Sequence, residues 1–219
     1  MKTRDKILQT ALELFNQEGE ASVTTLDIAQ TLNISPGNLY YHFRGKEDIL
    51  SCVFDQLYLA LIPRLEELEI SLAGLENQPI VLEALFDTLW DFRFAFLDTY
   101  RLATHYPRLK RRLQNLLARQ QLAFSRWVEQ LENVGLLRPT SIENRELLIE
   151  CLTHQSVSWI GLSQLLRLKE SPASTRRRAV AHVMSLITQH FPYNELSNDP
   201  PPNEKHLSHT QPLKTAPTE

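Results

Sequence analysis

The stretch TTLDIAQTLNISPGNLYYHF, residues 24–43, constrains the fold more than any other part of the sequence. Thr24 can cap a helix, and Asp27 stands three residues on, which is a capping-box arrangement. Leu26, Ile28, Ala29 and Leu32 supply the apolar side of a short helix. Asn33-Ile34-Ser35 then makes a three-residue turn. Asparagine tolerates the left-handed conformation that such a turn needs. Ser35 starts a second helix, with Pro36 at the first helical position, where its missing N–H costs little. Leu39 and Phe43 face inward. Helix, tight turn and short helix together make a helix-turn-helix unit.

The outward side chains of the second helix have an unusual chemistry for a packing element. In a helix-turn-helix that reads DNA, the N-terminal residues of this helix approach base edges in the major groove. Ser35 and the free N–H groups at the helix start suit a phosphate oxygen. Gly37 lets backbone come close to DNA. Asn38 can bond a base or a phosphate, and Tyr40, Tyr41 and His42 offer rings with hydrogen-bonding tips. Lys46 opens the next helix and is a phosphate candidate. A helix-turn-helix used only for packing would instead carry hydrophobes or plain surface charges at positions 37, 38 and 41.

Charge shapes that expectation. The chain carries a formal charge of −3, and residues 1–50 hold five bases against seven acids, so any attraction to nucleic acid must be local. The expected salt slope of DNA binding is therefore modest for each subunit. Lys2, Arg4 and Lys6 are either an arm for phosphate or a solvated helix start.

The remaining chain reads as helices. Ile7, Leu8, Ala11, Leu14 and Phe15 mark one over 3–18, closed by Gly19. Another runs over 46–62, where Pro63 is expected to end or kink it. After a loop at 74–79, further helices are expected over 80–104, 108–134, 142–168 and 173–190. Gly135 closes the second of these, and Thr140 with Glu143 is a candidate capping box for the third. No alternating strand pattern or internal repeat is present. The expected fold is all-α, with a three-helix module over 1–45, a larger helical body over 46–191 and a disordered tail over 192–219. The 42% hydrophobic fraction is enough for a buried core.

The segment TTLDIAQTLNISPGNLYYHFRGKEDIL, residues 24–50, resembles the DNA-binding signature of the TetR family of bacterial regulators. The resemblance rests on Thr-Thr, Ile-Ala, Ser-x-Gly, Leu-Tyr-Tyr-His-Phe and Lys-Glu. It implies a homodimer that places one helix-turn-helix per subunit in successive major grooves of an operator, and a helical body that holds a small-molecule effector. Thr25, Ser35, Gly37, Asn38, Tyr40, Tyr41, His42 and Lys46 carry over as DNA contacts. The family often has Ala-Gly-Val-Ser where this chain has Leu32-Asn33-Ile34-Ser35; Asn33 fills the glycine's conformational role. By the same resemblance, the last two helices would form a four-helix dimer interface. A ligand-released repressor is the expected function; an activator of the same family or a DNA-free helical scaffold are the alternatives.

Within the body, Phe86, Trp90, Phe94, Phe124, Trp127 and Trp159 are either an apolar effector pocket or ordinary core. Arg93, inside WDFRFAF, is either paired with a neighbour or placed for an anionic ligand, which points to an apolar or carboxylate-bearing effector. Residues 101–128 carry seven bases and no acid, with a solvated helix face as the default and a second nucleic-acid contact as the alternative. Cys52 and Cys151 have no metal or disulfide spacing and read as free thiols. No GxSxG, HExxH, CxxC or P-loop pattern occurs, so neither an enzyme nor a cofactor is expected. No apolar run reaches the roughly 18 residues of a membrane span and the N-terminus lacks a signal-peptide pattern, so a cytoplasmic location is expected.

Overall fold

The computed structural model describes residues 2–71, 77–166 and 171–190, and the tail expected over 192–219 lies outside them. Ten α-helices and one short 3-10 turn make up the described residues, with no strand among them. The head comprises α1 (Thr3–Glu18), the 3-10 turn Glu20–Ser22, α2 (Thr25–Thr31) and α3 (Pro36–His42). The body follows through α4 (Lys46–Ile70), α5 (Gln78–Asp91), α6 (Phe94–Leu97), α7 (Thr99–His105), α8 (Pro107–Asn133), α9 (Ile142–Leu166) and α10 (Pro172–Thr188). α4 packs on α1, α5 and α8, α8 packs on α9, and α10 packs on α5 and α9. A single hydrophobic core runs from Ile7 in the head to Ile187 in the body.

Local chemistry sets the head as expected. Thr24 Oγ1 accepts from Asp27 N, and Asp27 Oδ2 accepts from Thr24 N at 2.7 Å, completing the capping box. This bond from the Thr24 hydroxyl and backbone also holds the Asp27 carboxyl below its ordinary range. Asn33 has φ 53°, the one non-glycine residue with positive φ among those described. Ser35 Oγ accepts from Asn38 N at 3.2 Å, and Pro36 takes the first turn of α3.

Three expectations give way to tertiary context. First, of the two outcomes expected at Pro63, an end or a kink, the end does not occur: α4 continues through it to Ile70. Proline removes one bond to the residue four places back. Here that residue is Leu59, which is 73% exposed, so Pro63 falls below the solvent side of the helix, while Leu61, Leu65 and Leu68 are buried. Second, the single helix expected over 80–104 is three helices, broken at Phe92 and Asp98. At the first break the Asn16 side chain replaces helix bonds: Nδ2 donates to Asp91 O at 2.7 Å, and Phe94 N donates to Oδ1 at 3.0 Å. Third, α9 starts without the Thr140–Glu143 box. Ser141 Oγ accepts from Asn144 N instead, and Thr140 bonds Glu132 of α8.

Candidate nucleic-acid interface and effector site

α3 presents a polar face because it has only one buried residue, Leu39, with Phe43 just beyond it as a second anchor. Ser35, Gly37 and Asn38 are exposed, and Tyr40 and Tyr41 are 54% and 84% exposed. His42 is half-buried and meets the Tyr41 ring edge-on at 5.1 Å. Thr25 Oγ1 lies 3.1 Å from Tyr40 Oη, so the start of α2 and the far end of α3 meet through their hydroxyls. Seven of the eight candidate DNA contacts thus lie on or beside α3, exposed or half-buried.

The eighth, Lys46, is turned inward. Its ammonium donates to Glu20 O at 2.5 Å and pairs with Glu20 Oε1 at 2.7 Å. Arg4 is also engaged, lying over the Phe43 ring at 5.0 Å and donating to Cys52 Sγ at 3.1 Å. It braces the head rather than forming a free arm.

Glu20 is the junction residue that the sequence does not reveal. Its carboxylate is buried and joins head to body, pairing with Lys46 of α4 and Arg101 of α7 and accepting from Tyr106 Oη at 2.6 Å. Burial alone would raise the Glu20 pKa, but the bonds from Lys46, Tyr106 and Arg101 outweigh it and hold the carboxyl below its ordinary value. Burial and the same bond push the Tyr106 hydroxyl well up. An acid after Gly19 has no base nearby in sequence, because its partners lie up to 86 residues away. Asn16 is the second bridge and is equally silent in the sequence.

The rings of the body fall into separate groups. Trp159 stacks on Trp90 at 5.8 Å and meets Phe86 edge-on at 5.3 Å. Trp90 also has the guanidinium groups of Arg93 and Arg176 over it, at 5.2 and 6.0 Å. Arg93 donates to Trp90 O at 3.2 Å, and burial lowers its pKa. Phe94 belongs elsewhere, packed on Phe15 and Phe54 at the joint between α1 and α4. Phe124 and Trp127 form a third group, where Trp127 Nε1 donates to Gln78 Oε1 at 2.7 Å. Trp159 Nε1 differs: it is buried and has no hydrogen-bond partner among the described residues.

The fold and the exposed polar face of α3 define a helical transcriptional regulator with a helix-turn-helix head. Residues 7–53 match the family described as bacterial regulatory proteins, tetR family, and residues 60–196 match one described as bacterial transcriptional repressor. The chain belongs to the TetR family. It is similar to a TetR-family transcriptional regulator from Marinobacter aquaeolei VT8, with 32% identity and a TM-score of 0.80 over 89% of this chain and 93% of that one. It shares its fold with PfmR from Thermus thermophilus, at 19% identity and a TM-score of 0.65 over 83% of this chain and 96% of that one. Among curated proteins it is similar to IcaR of Staphylococcus aureus, a negative transcriptional regulator of the biofilm operon icaADBC, with 31% identity over 101 residues. That match spans 44% of this chain and 49% of IcaR, so the chain matches about half the length of such relatives. No described helix is long and apolar enough to cross a membrane.

Proposed function

We propose that this chain is a sequence-specific DNA-binding repressor, acting as a homodimer and released by a small-molecule effector. The observation that carries the reading is the bare polar face of α3, set on a turn that passes through the left-handed Asn33. Ser35, Gly37, Asn38, Tyr40, Tyr41 and His42 are the proposed DNA contacts, with Thr25 holding Tyr40. Lys46 serves mainly as the clamp on Glu20. The dimer reading is supported by Ile142, Leu147, Leu162, Leu165 and Leu166 of α9, which are each at least 54% exposed. Apolar residues so clustered on one helix favour a covering partner.

The proposed effector binds at the Phe86–Trp90–Trp159 group and carries a hydrogen-bond acceptor, such as a carboxylate, on an apolar frame. The orphaned Trp159 Nε1 donor and the nearby Arg93 and Arg176 guanidinium groups support that chemistry. Trp90 directly precedes Asp91, whose carbonyl Asn16 holds. A ligand that shifts Trp90 would therefore pull on the head through Asn16, through Glu20 and along α4. It acts only by its difference in affinity between the two head positions. Operator half-sites about 34–36 Å apart suit one of these.

Selection of duplexes from a random pool, followed by gel shift, tests the core claim. A selected sequence that competes far better than bulk DNA is expected; equal competition by any DNA refutes it. Trp90, Trp127 and Trp159 are the only tryptophans and all lie in the body, so their emission reports on coupling. Because coupling is reciprocal, operator binding should change that emission, and the Asn16→Ala, Glu20→Gln double variant should bind DNA with a smaller change.

A further inference from the structure

The seven bases between Arg101 and Arg126 divide into two groups once folded. Four are built into the fold by acids from other segments. Arg101 pairs with Glu20 and Asp98, Arg112 with Asp55, and both Arg119 and Arg126 with the buried Glu69. The other three, Arg108, Lys110 and Arg111, are exposed and have no ion pair among the described residues. All three lie in the first turns of α8, so the free charge is concentrated at one end of a run whose remainder is neutralised.

That end lies beside the reading head. Arg108 and Arg44 line one open groove of about 520 Å³, together with Gly45, Glu47, Asp48 and Ser51. Arg108 also lines an adjoining groove with Arg111 and Arg112. Arg44 comes two residues after α3 ends, and its side chain is likewise exposed and has no ion pair among the described residues. The opposing charges are Glu47, which is exposed, and Asp48, whose carboxylate already accepts from Arg44 N at 3.1 Å. Three free cations, Arg44, Arg108 and Arg111, therefore outnumber the two acids of these grooves, on a surface continuous with α3.

We propose that Arg44, Arg108 and Arg111 form a second DNA contact, on the phosphate backbone flanking the groove that α3 reads. This rests on the DNA-reading function proposed above. Phosphate contacts fix register and orientation but carry no base preference. The ridge supplies the electrostatic affinity that the acidic head, taken alone, lacks. Each neutralised phosphate steepens the dependence of log affinity on log salt by about 0.9.

The test compares the full chain with Arg108→Gln, Arg111→Gln on a duplex selected by the full chain, with long and trimmed flanks. On long flanks the double variant should lose roughly ten-fold in affinity and about 2 from the salt slope for each subunit. Its preference among sequences and its melting temperature should stay unchanged. Trimming the flanks should weaken the full chain clearly more than the variant, which keeps only Arg44 of the ridge. An unchanged salt slope, or a drop in melting temperature that accounts for the weaker binding, overturns the proposal. Failure to select any sequence would refute the DNA-reading function itself, which is a separate result.

Discussion

α3 and the broken segment α5–α7 both carry rings, and they use them in opposite ways. Tyr41 of α3 is 84% exposed, whereas Phe86 of α5 is fully buried against Trp159. In α3, the side chains proposed for function are ones the fold hardly needs, since Leu39 and Phe43 alone hold the helix in place. In α5–α7, the side chains proposed to meet an effector also hold the body together, and the breaks between the helices are where the head attaches. Recognition and stability are separable in the first region and merged in the second. That arrangement suits a switch, because a ligand that repacks the body must disturb the structure that sets the head.

Cutting one ring in each region tests this contrast most directly. Phe86→Ala should cost about 3–5 kcal/mol of unfolding free energy by urea titration, from lost burial and the cavity left behind. Tyr41→Ala should stay within about 0.5 kcal/mol of the parent in the same titration. Equal losses would mean that α3 is a packing element.

The junction comes next. Glu20→Ala should cost about 2–3 kcal/mol, less than a fully buried pair because Lys46 and Arg101 can reach water. Its acid dependence has a definite sign. The folded carboxyl titrates below its ordinary 4.5, so its contribution is complete above that pH and is lost as the pH falls through the lowered value. Glu20→Gln should flatten the acid limb of a stability–pH curve; an unchanged limb would assign the acid sensitivity to other groups.

Smaller effects refine the picture of the head. Tyr41→Ala and Asn38→Ala should each weaken operator binding by about 1–3 kcal/mol in gel shifts, with little change in affinity for bulk DNA. Thr24→Ala should remove about 1 kcal/mol of stability through the lost cap, and its effect on DNA affinity should follow only from that loss. A larger effect on binding would make Thr24 a contact in its own right.

Much of the head was legible in sequence because its determinants are local. The cap at Thr24, the left-handed Asn33 and the Ser35–Pro36 start each act within a few residues. The exposed tips of α3 follow from its period, which points Leu39 and Phe43 inward and the polar residues out. Lys46 and Arg4 were legible as cations but not as partners, since their acceptors and ring contacts come from other elements. The basic stretch 101–128, which spans α7 and α8, reads as one solvated face in the sequence for the same reason. Its acids, Glu20, Asp55 and Glu69, lie on the 3-10 turn and α4.

The order of residues alone was enough for the all-α class, the helix-turn-helix and the outward side of α3, because helical period, capping and turn chemistry are short-range. Long-range packing was needed to carry α4 through Pro63, to split the helix expected over 80–104 at Asn16, and to tie head to body through Glu20. Each depends on a group far along the chain supplying or replacing a hydrogen bond, or on packing and solvent offsetting the loss of one. A periodic pattern records which face is buried. It does not record what that face is buried against.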